Sequence, residues 1–411
     1  LRWSVGQTED PFLLLERGVA AHTGPPEGGL PFSGGAIGYL GYEAGHAVES
    51  ILTPAGRSEA GLGLPDLLFG LYAWGIVWDH HAGTWAIVSS GAPETGPAKE
   101  AKARRDADRA KGVIEANRVV PRPRRPAPPV GGGGARILGT SVPRAEYLKM
   151  VRRALHLIEQ GEIYQVNLSQ RLELPAPAHP IDLARALATH SPAPCSAWID
   201  AGEFQIASAS PERFVSLNGT RAESRPIKGT RPRRALAADD QAQLAELIAS
   251  QKDRAENIMI VDLVRNDLGR VCRPGTIAAR EICRPESYAS VHHLVSIITG
   301  ELADGQGRAS LLRALFPGGS MTGAPKVSAM QTIARLEPVP RGVYSGALGY
   351  LSFCGGLDLS IVIRTAIVAK GRTWLSVGGG IVADSDPEAE HKESMDKAAS
   401  VLKALESCRG F

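Results

Sequence analysis

Long apolar runs are missing from this 411-residue chain: none approaches the roughly 18 residues that cross a bilayer. The opening stretch, Leu1 to Asp10, also lacks a basic segment followed by an apolar one, so the expectation is a cytoplasmic chain with no membrane contact. Charge of one sign is missing as well. The 46 basic and 43 acidic residues leave a net charge of +3, which gives no long-range field for nucleic acid and favours small-molecule chemistry. Cysteine is scarce: Cys195, Cys272, Cys283, Cys354 and Cys408 are odd in number and have no CxxC spacing, which argues against a disulfide framework or a zinc site. No short internal repeat is present. What remains is 43% apolar content, typical of a packed protein, and enough length for two or three ordinary domains or one large duplicated one.

The clearest break is Val119 to Gly134, where Pro, Arg and the glycines Gly131 to Gly134 follow a charged helical stretch, Ala98 to Ala116. The expected organisation is a β-rich N-terminal subdomain over 1–118, a flexible linker over 119–135 and a main domain over 136–411. In that domain Arg144 to Gln160 reads as an amphipathic helix, while Gln165 to Leu174 and Phe204 to Ala209 read as strands. One long helix is expected from about Asp240 to Val264, with Leu244, Leu247, Ile248, Ala255, Ile258 and Met259 at helical spacing. Strand-like runs from Tyr344 to Val382, separated by Cys354-Gly355-Gly356 and Lys370-Gly371, predict an antiparallel meander. The class is α+β.

Charged residues at regular spacing carry the chemistry. The last helix is expected to be capped by Asp386, with Pro387 in its first turn and Met395, Ala398, Leu402 and Leu405 buried. On a separate face Glu390, Glu393 and Lys397, at i, i+3 and i+7, fall within about 60° of one another. Alone, such a row reads as a solvated surface. The helix from Asp240 adds Asp253 and Glu256 at i and i+3. If both helix ends meet in one cleft, four carboxylates repel one another unless a cation sits between them, and hard oxygen ligands suit Mg²⁺. Lys228, in Pro226 to Thr230, is expected in a short turn after a hairpin centred on Asn218-Gly219. Without other context it is a loop charge.

Context comes from motifs in order. Ser210-Pro211-Glu212, Pro226 to Thr230, Asp253 to Leu263, Arg265-Asn266-Asp267, His293 to Ser296, Pro317 to Lys326, Ile363-Arg364-Thr365, Gly378 to Gly380 and Glu390 to Ala398 resemble the chorismate-utilising enzymes. The resemblance covers Leu138 to Leu405, with weaker similarity in Pro31 to Glu43. It implies two packed antiparallel β-sheets, a sandwich, flanked by helices. Members that activate water carry a lysine in the strand matching Tyr164 to Ser169, where this chain has Gln165, so water is not the expected nucleophile. Anthranilate-forming members usually have alanine where this chain has Lys228, whereas members forming 4-amino-4-deoxychorismate share the Pro-Ile-Lys-Gly-Thr form. The implied product is therefore 4-amino-4-deoxychorismate, for p-aminobenzoate and folate synthesis. An anthranilate-forming lyase and a non-catalytic chorismate-binding subunit are the alternatives.

The same resemblance assigns roles. Glu212 matches the general acid that protonates the departing 4-hydroxyl. Lys228 would attack ring C2 to give a covalent adduct that ammonia resolves at C4. An ordinary lysine, with pKa about 10.4, is only about one part in a thousand neutral near pH 7.4, so burial or nearby cations are expected to lower it. His293 matches a histidine near the ring hydroxyl, or is a buried structural one. Glu256 and Glu393 resemble direct Mg²⁺ ligands, with Asp253 and Glu390 acting through water; Asp253 stands where several relatives have Glu. Arg364, Lys397 and Tyr344 are placed to bind carboxylates, and Gly229, Thr230, Ser320, Gly379 and Gly380 to supply backbone or hydroxyl contacts. No cysteine sits in a Gly-x-Cys-x-Gly elbow, so a separate glutamine amidotransferase subunit is expected to deliver ammonia, with free ammonium able to substitute. Pro11 to Glu16 resembles a tryptophan-binding stretch, but Arg17 replaces the usual small serine and a core strand is expected there.

Overall fold

The computed structural model describes residues 10–22, 30–49, 60–116, 136–289 and 291–408. The expected linker, 119–135, and all but the last residue of the opening stretch lie outside them. Two antiparallel sheets form the centre. The nine-stranded sheet runs in the order Ile227–Pro232, Val291–Glu301, Arg221–Arg225, Arg213–Asn218, Leu357–Ile361, Ala347–Ser352, Gly35–Leu40, Leu67–Tyr72, with Ala278–Ser287 also paired to Val291–Glu301. The seven-stranded sheet runs Gly323–Ala324, Gln165–Pro175, Arg372–Ile381, Thr365–Ala369, Phe204–Ser210, Cys195–Asp200, with Gly139–Thr140 on Gln165–Pro175. Strands Gly35–Leu40 and Leu67–Tyr72 complete the larger sheet, so the N-terminal segment is part of the same layer.

The sheets meet through Tyr39 and Leu348 of one against Phe204, Ile206 and Ile367 of the other, with Val343 of the preceding turn in the same cluster. Helices cover the outer faces. Gln165–Pro175 shows the sequence logic: Val166 and Leu168 pack under Arg144–Glu159 and Lys326–Leu336, and Leu172 and Leu174 under Pro180–His190 and Ala399–Ser407. Period-two alternation turns Gln165, Asn167 and Ser169 to the opposite face.

Four local expectations are corrected. Pro11 to Ala20 is a helix, not a core strand: Asp10 accepts from the backbone of Phe12 and Leu13, and Phe12, Leu15 and Val19 bury one face. Glu16 fixes this helix by a two-pronged ion pair with Arg308. The long helix is two, Ala237–Ala249 and Gln251–Gly269, because Ser250 turns extended and caps the second by accepting from the backbone of Asp253. The meander is split: Ala347–Ser352 and Leu357–Ile361 belong to the larger sheet, Thr365–Ala369 and Arg372–Ile381 to the smaller. The chain crosses between sheets at Val362 to Arg364, where Arg364 takes φ +48. Lys228 lies in an edge strand rather than a turn, with a bulge at Gly229 (φ +74). The expected hairpin is present, with Asn218 paired to Arg221 around Gly219. Among the described residues no helix is long and apolar enough to cross a membrane.

Candidate active site

Lys228 points inward, its side chain only 13% exposed, and its Nζ lies 3.7 Å from Glu256. Its direction follows from the bulge. Gly229 shifts the register between Lys228 and Thr230 against Leu294 and His293, and a Cβ on Gly229 would meet Leu247 and Asp253 at 2.8 and 3.0 Å. Only glycine combines that φ with that approach.

Across the gap, the strand Arg372–Ile381 offers bare backbone at Gly378, Gly379 and Gly380. A Cβ on Gly380 would stand 2.3 Å from Gln165 Nε2 and 3.4 Å from Lys228 Nζ, and one on Gly379 3.0 Å from Glu390. Gly380→Ala is therefore expected to displace both Lys228 and Gln165. With the fold retained by thermal melting, kcat/KM should fall about 10²-fold, the effect of misplacing a reacting group by about an ångström.

Glu212 is buried and accepts from Ser320 Oγ at 2.7 Å. Burial pushes its carboxyl up to about 7, against the opposing pull of Ser320, Lys228, the Ile227 N–H and Arg364. That places a protonated carboxyl beside Lys228 near neutral pH. His293 is buried too, and its Nδ1 lies 3.0 Å from the Gly229 carbonyl and 3.1 Å from Thr230 Oγ1. A carbonyl only accepts, so Nδ1 carries the proton and Nε2 presents a lone pair. Burial and Arg364 push this imidazole down to about 4, so it is neutral at physiological pH, and Nε2 is a buried acceptor with no partner among the described residues. Arg364, at its positive φ, is lowered by burial and partly restored by Glu212; its guanidinium has no hydrogen-bond partner among the described residues. A desolvated cation left unpaired is a receptor for an anion.

The carboxylates separate into two sets. Glu256 is raised by burial, with Asp253 and Glu393 adding repulsion and Lys228 and Lys252 opposing it. Burial acts to raise Glu393 as well, but Lys397, 2.9 Å away, leaves it lowered. Asp253 pairs with Arg231 at 3.3 Å, and Glu390 accepts from Ser385 at 2.7 Å and faces Lys252 at 3.5 Å. No three acidic, histidine or cysteine side chains among the described residues converge as a metal cluster. Mg²⁺ commonly takes only one or two protein carboxylates and keeps its waters, so the mutually repelling Glu256 and Glu393 fit it as a pair. Lys397 also donates to the Gly378 carbonyl at 2.9 Å, beside the glycine strand.

Tyr344 is buried against Arg341, whose guanidinium lies 5.9 Å from its ring centre and bonds to Glu337, Met321 and Asn167. Burial pushes Tyr344 up to about 12, so it stays a neutral hydroxyl. Two residues of this neighbourhood were not legible in advance. Asn257 donates to the Leu294 carbonyl at 3.2 Å and accepts from Ser296, which locks the helix bearing Asp253 and Glu256 onto the strand Val291–Glu301. Lys252 faces Glu390 across two helices. A polar residue beside Glu256 in the helix was the only available signal for Asn257, and nothing in the sequence pointed to the Lys252 pairing.

The sequence model of the family described as chorismate binding enzyme matches residues 9–403. The chain belongs to that family. Aminodeoxychorismate synthase component 1 of Salmonella typhimurium is 40% identical over 402 residues, 97% of this chain and 83% of the relative. Anthranilate synthase component 1 of Thermus thermophilus is nearly as similar, 39% over 401 residues, with the same two coverages. Among solved structures, anthranilate synthase component I of Streptococcus pneumoniae superposes with a TM-score of 0.79 at 30% identity, covering 96% of this chain and 86% of that one. Overall identity does not separate amination with retention of the side chain from anthranilate formation within the chorismate binding enzymes. Individual residues of the site have to.

Proposed function

We propose that this chorismate binding enzyme replaces the 4-hydroxyl of chorismate with ammonia, giving 4-amino-4-deoxychorismate for p-aminobenzoate and folate synthesis. The observation that carries the reading is Lys228, turned into the site near Glu212, whose carboxyl burial lifts to about 7; the family resemblance implies alanine at that position in anthranilate-forming members. Hydroxide leaves poorly until protonated, and Glu212 holds a proton near neutrality. As the free amine, Lys228 attacks ring C2, both ring double bonds shift, and the 4-hydroxyl departs as water with the proton of Glu212. Ammonia then bonds to C4, both double bonds shift back, and the Lys228 amine leaves from C2. Arg364 takes a substrate carboxylate, and His293 Nε2 accepts from a ring hydroxyl. Glu256 and Glu393 would hold Mg²⁺, which would supply positive charge for the other carboxylate. Of the burial or nearby cations expected around Lys228, the side chain has the burial, but its charged neighbour is the Glu256 carboxylate, so the group that would hold Mg²⁺ is also the one that must release Lys228.

Ammonia in this reading comes from glutamine through a separate amidotransferase subunit, in line with relatives named component 1; the same reading places the reaction in the cytoplasm. The test is an incubation with chorismate, Mg²⁺ and ammonium chloride, followed by product analysis. The expected product is 4-amino-4-deoxychorismate without pyruvate, and chelation of Mg²⁺ should stop turnover reversibly. Fluorescent anthranilate with stoichiometric pyruvate would reject the reading.

A further inference from the structure

Lys326 ends the motif Pro317 to Lys326 and takes no part in the chemistry described so far. Its side chain is 10% exposed, and its ammonium donates to Asp267 Oδ2 at 2.6 Å and to the Leu315 carbonyl at 2.8 Å. Leu315 ends the helix Arg308–Leu315 and Lys326 begins the helix Lys326–Leu336, so one side chain closes the intervening loop at its base. Ser320 lies on the single turn Gly319–Thr322 within that loop, and its Oγ donates to Glu212 at 2.7 Å. Asp267 belongs to the helix Gln251–Gly269, which carries Asp253 and Glu256 and packs on the larger sheet. The far end of the loop belongs to the other layer: Gly323 and Ala324 pair with Val166 and Gln165 of the smaller sheet, and the Met321 carbonyl accepts from Arg341 at 2.7 Å. Glu212 stands where the chain passes from the smaller sheet, at Ser210, to the larger, at Arg213. The reach from Ser320 to Glu212 therefore depends on how the two layers are set against each other, and Lys326 links them.

Packing alone leaves Ser320 room to move. A cavity of about 20 Å³, enough for a water molecule, lies beside it, lined by Glu212, Ser320, Val264 and Asp267 among others. The ion pair that borders it is an expensive device: burial lowers Lys326 and raises Asp267, and each opposes the shift in the other. Such a pair adds little net stability over apolar side chains of the same volume, because both charges give up their water; what it can supply is one fixed geometry. We propose that Lys326 is a positioning residue for the general acid: by holding the loop to Asp267 and Leu315 it keeps Ser320 Oγ within reach of Glu212. The assignment rests on Glu212 acting as the acid in the amination proposed above, but the carboxyl can be followed without turnover. The Ser320 hydrogen bond opposes the effect of burial on Glu212, so its loss lets the carboxyl rise further.

The experiment compares the full chain with Ser320→Ala, with Lys326→Met, and with Lys326→Met combined with Asp267→Leu. The last leaves no unpaired buried charge and decides alone if Lys326→Met does not fold. The protonated Glu212 carboxyl is titrated without substrate by infrared difference spectroscopy, with Glu212→Gln as the reference. In Ser320→Ala the midpoint should rise by about one unit, the roughly tenfold that one hydrogen bond to a carboxylate carries. The Lys326 variants should rise as much, and adding Ser320→Ala to them should add nothing, because the same bond is already lost. A general loosening of structure lowers kcat without producing that non-additive shift. A folded Lys326 variant that titrates like the parent overturns the proposal, as does a full further rise when Ser320→Ala is added. Anthranilate from the unmodified protein would overturn the amination reading separately, while the infrared titration still decides what Lys326 holds in place.

Discussion

Lys228→Ala is expected to lower ammonia-dependent formation of 4-amino-4-deoxychorismate by about 10³-fold, roughly 4 kcal/mol of transition-state stabilisation. Chorismate should still bind, since Arg364 and the Glu256/Glu393 pair are left in place. The inward direction of the side chain and its 3.7 Å approach to Glu256 are why so large an effect is expected from a residue on an edge strand. Titration calorimetry with chorismate and Mg²⁺ separates the two quantities. Intact-mass measurement during turnover should show a chorismate-derived adduct on the unmodified chain and none on the variant. Near-normal turnover by Lys228→Ala would remove the lysine from the chemistry, whatever the fate of substrate binding.

Glu212→Gln should cost about 10²- to 10⁴-fold in kcat, the range for a positioned general acid. The pH dependence adds a sharper criterion. The active form is the protonated one, and burial lifts this carboxyl to about 7, so the pH profile of kcat should carry a falling limb from Glu212 near that value, offset to the extent that rising pH frees the Lys228 amine. The variant's residual activity should lose that limb. Stability gives an independent check with the sign worked out. Between 4.5 and about 7 the unfolded chain has released the Glu212 proton and the folded chain has kept it, so rising pH favours unfolding through this window. Glu212→Gln removes the effect, and its melting temperature should exceed that of the unmodified protein most clearly above pH 7. A variant less stable than the parent at pH 8 would show that the site favours the ionised carboxyl and that burial does not raise it.

The same residue shows how far sequence reading reaches. Glu212 was identifiable from Ser210-Pro211-Glu212, but its raised proton affinity comes from burial by distant segments, which outweighs the opposing hydrogen bond from Ser320, 108 positions away. Local capping was readable at Asp386 and Pro387, which start the helix Pro387–Asp396 as expected, but the single last helix expected there is two, with Ala399–Ser407 following a turn at Lys397 and Ala398. It was missed at Ser250, because a serine inside a run of helical spacing looks like any exposed polar residue until its side chain is seen to accept from Asp253. That break sets the rotation of Gln251–Gly269 and so the face on which Asp253 and Glu256 emerge. The strand expected at Pro11 to Glu16 failed for a related reason: a short apolar run carries little periodicity, and Asp10 as cap and the Arg308 ion pair decided for helix.

Sequence alone determined the family, the α+β class and the identity of the residues that can do chemistry. These depend on residue types and on spacing along one strand or helix, which are local quantities. Tertiary structure decided which of them meet: that Lys228 lies on an edge strand opposite Gly380, that Asp253 and Glu390 are engaged by Arg231 and Ser385, and that the oxygens of Gln165 and Asn167 are buried without partners. Burial, and the electrostatic shifts it causes, belongs to the environment each side chain receives from distant segments, and no stretch of chain carries that information by itself.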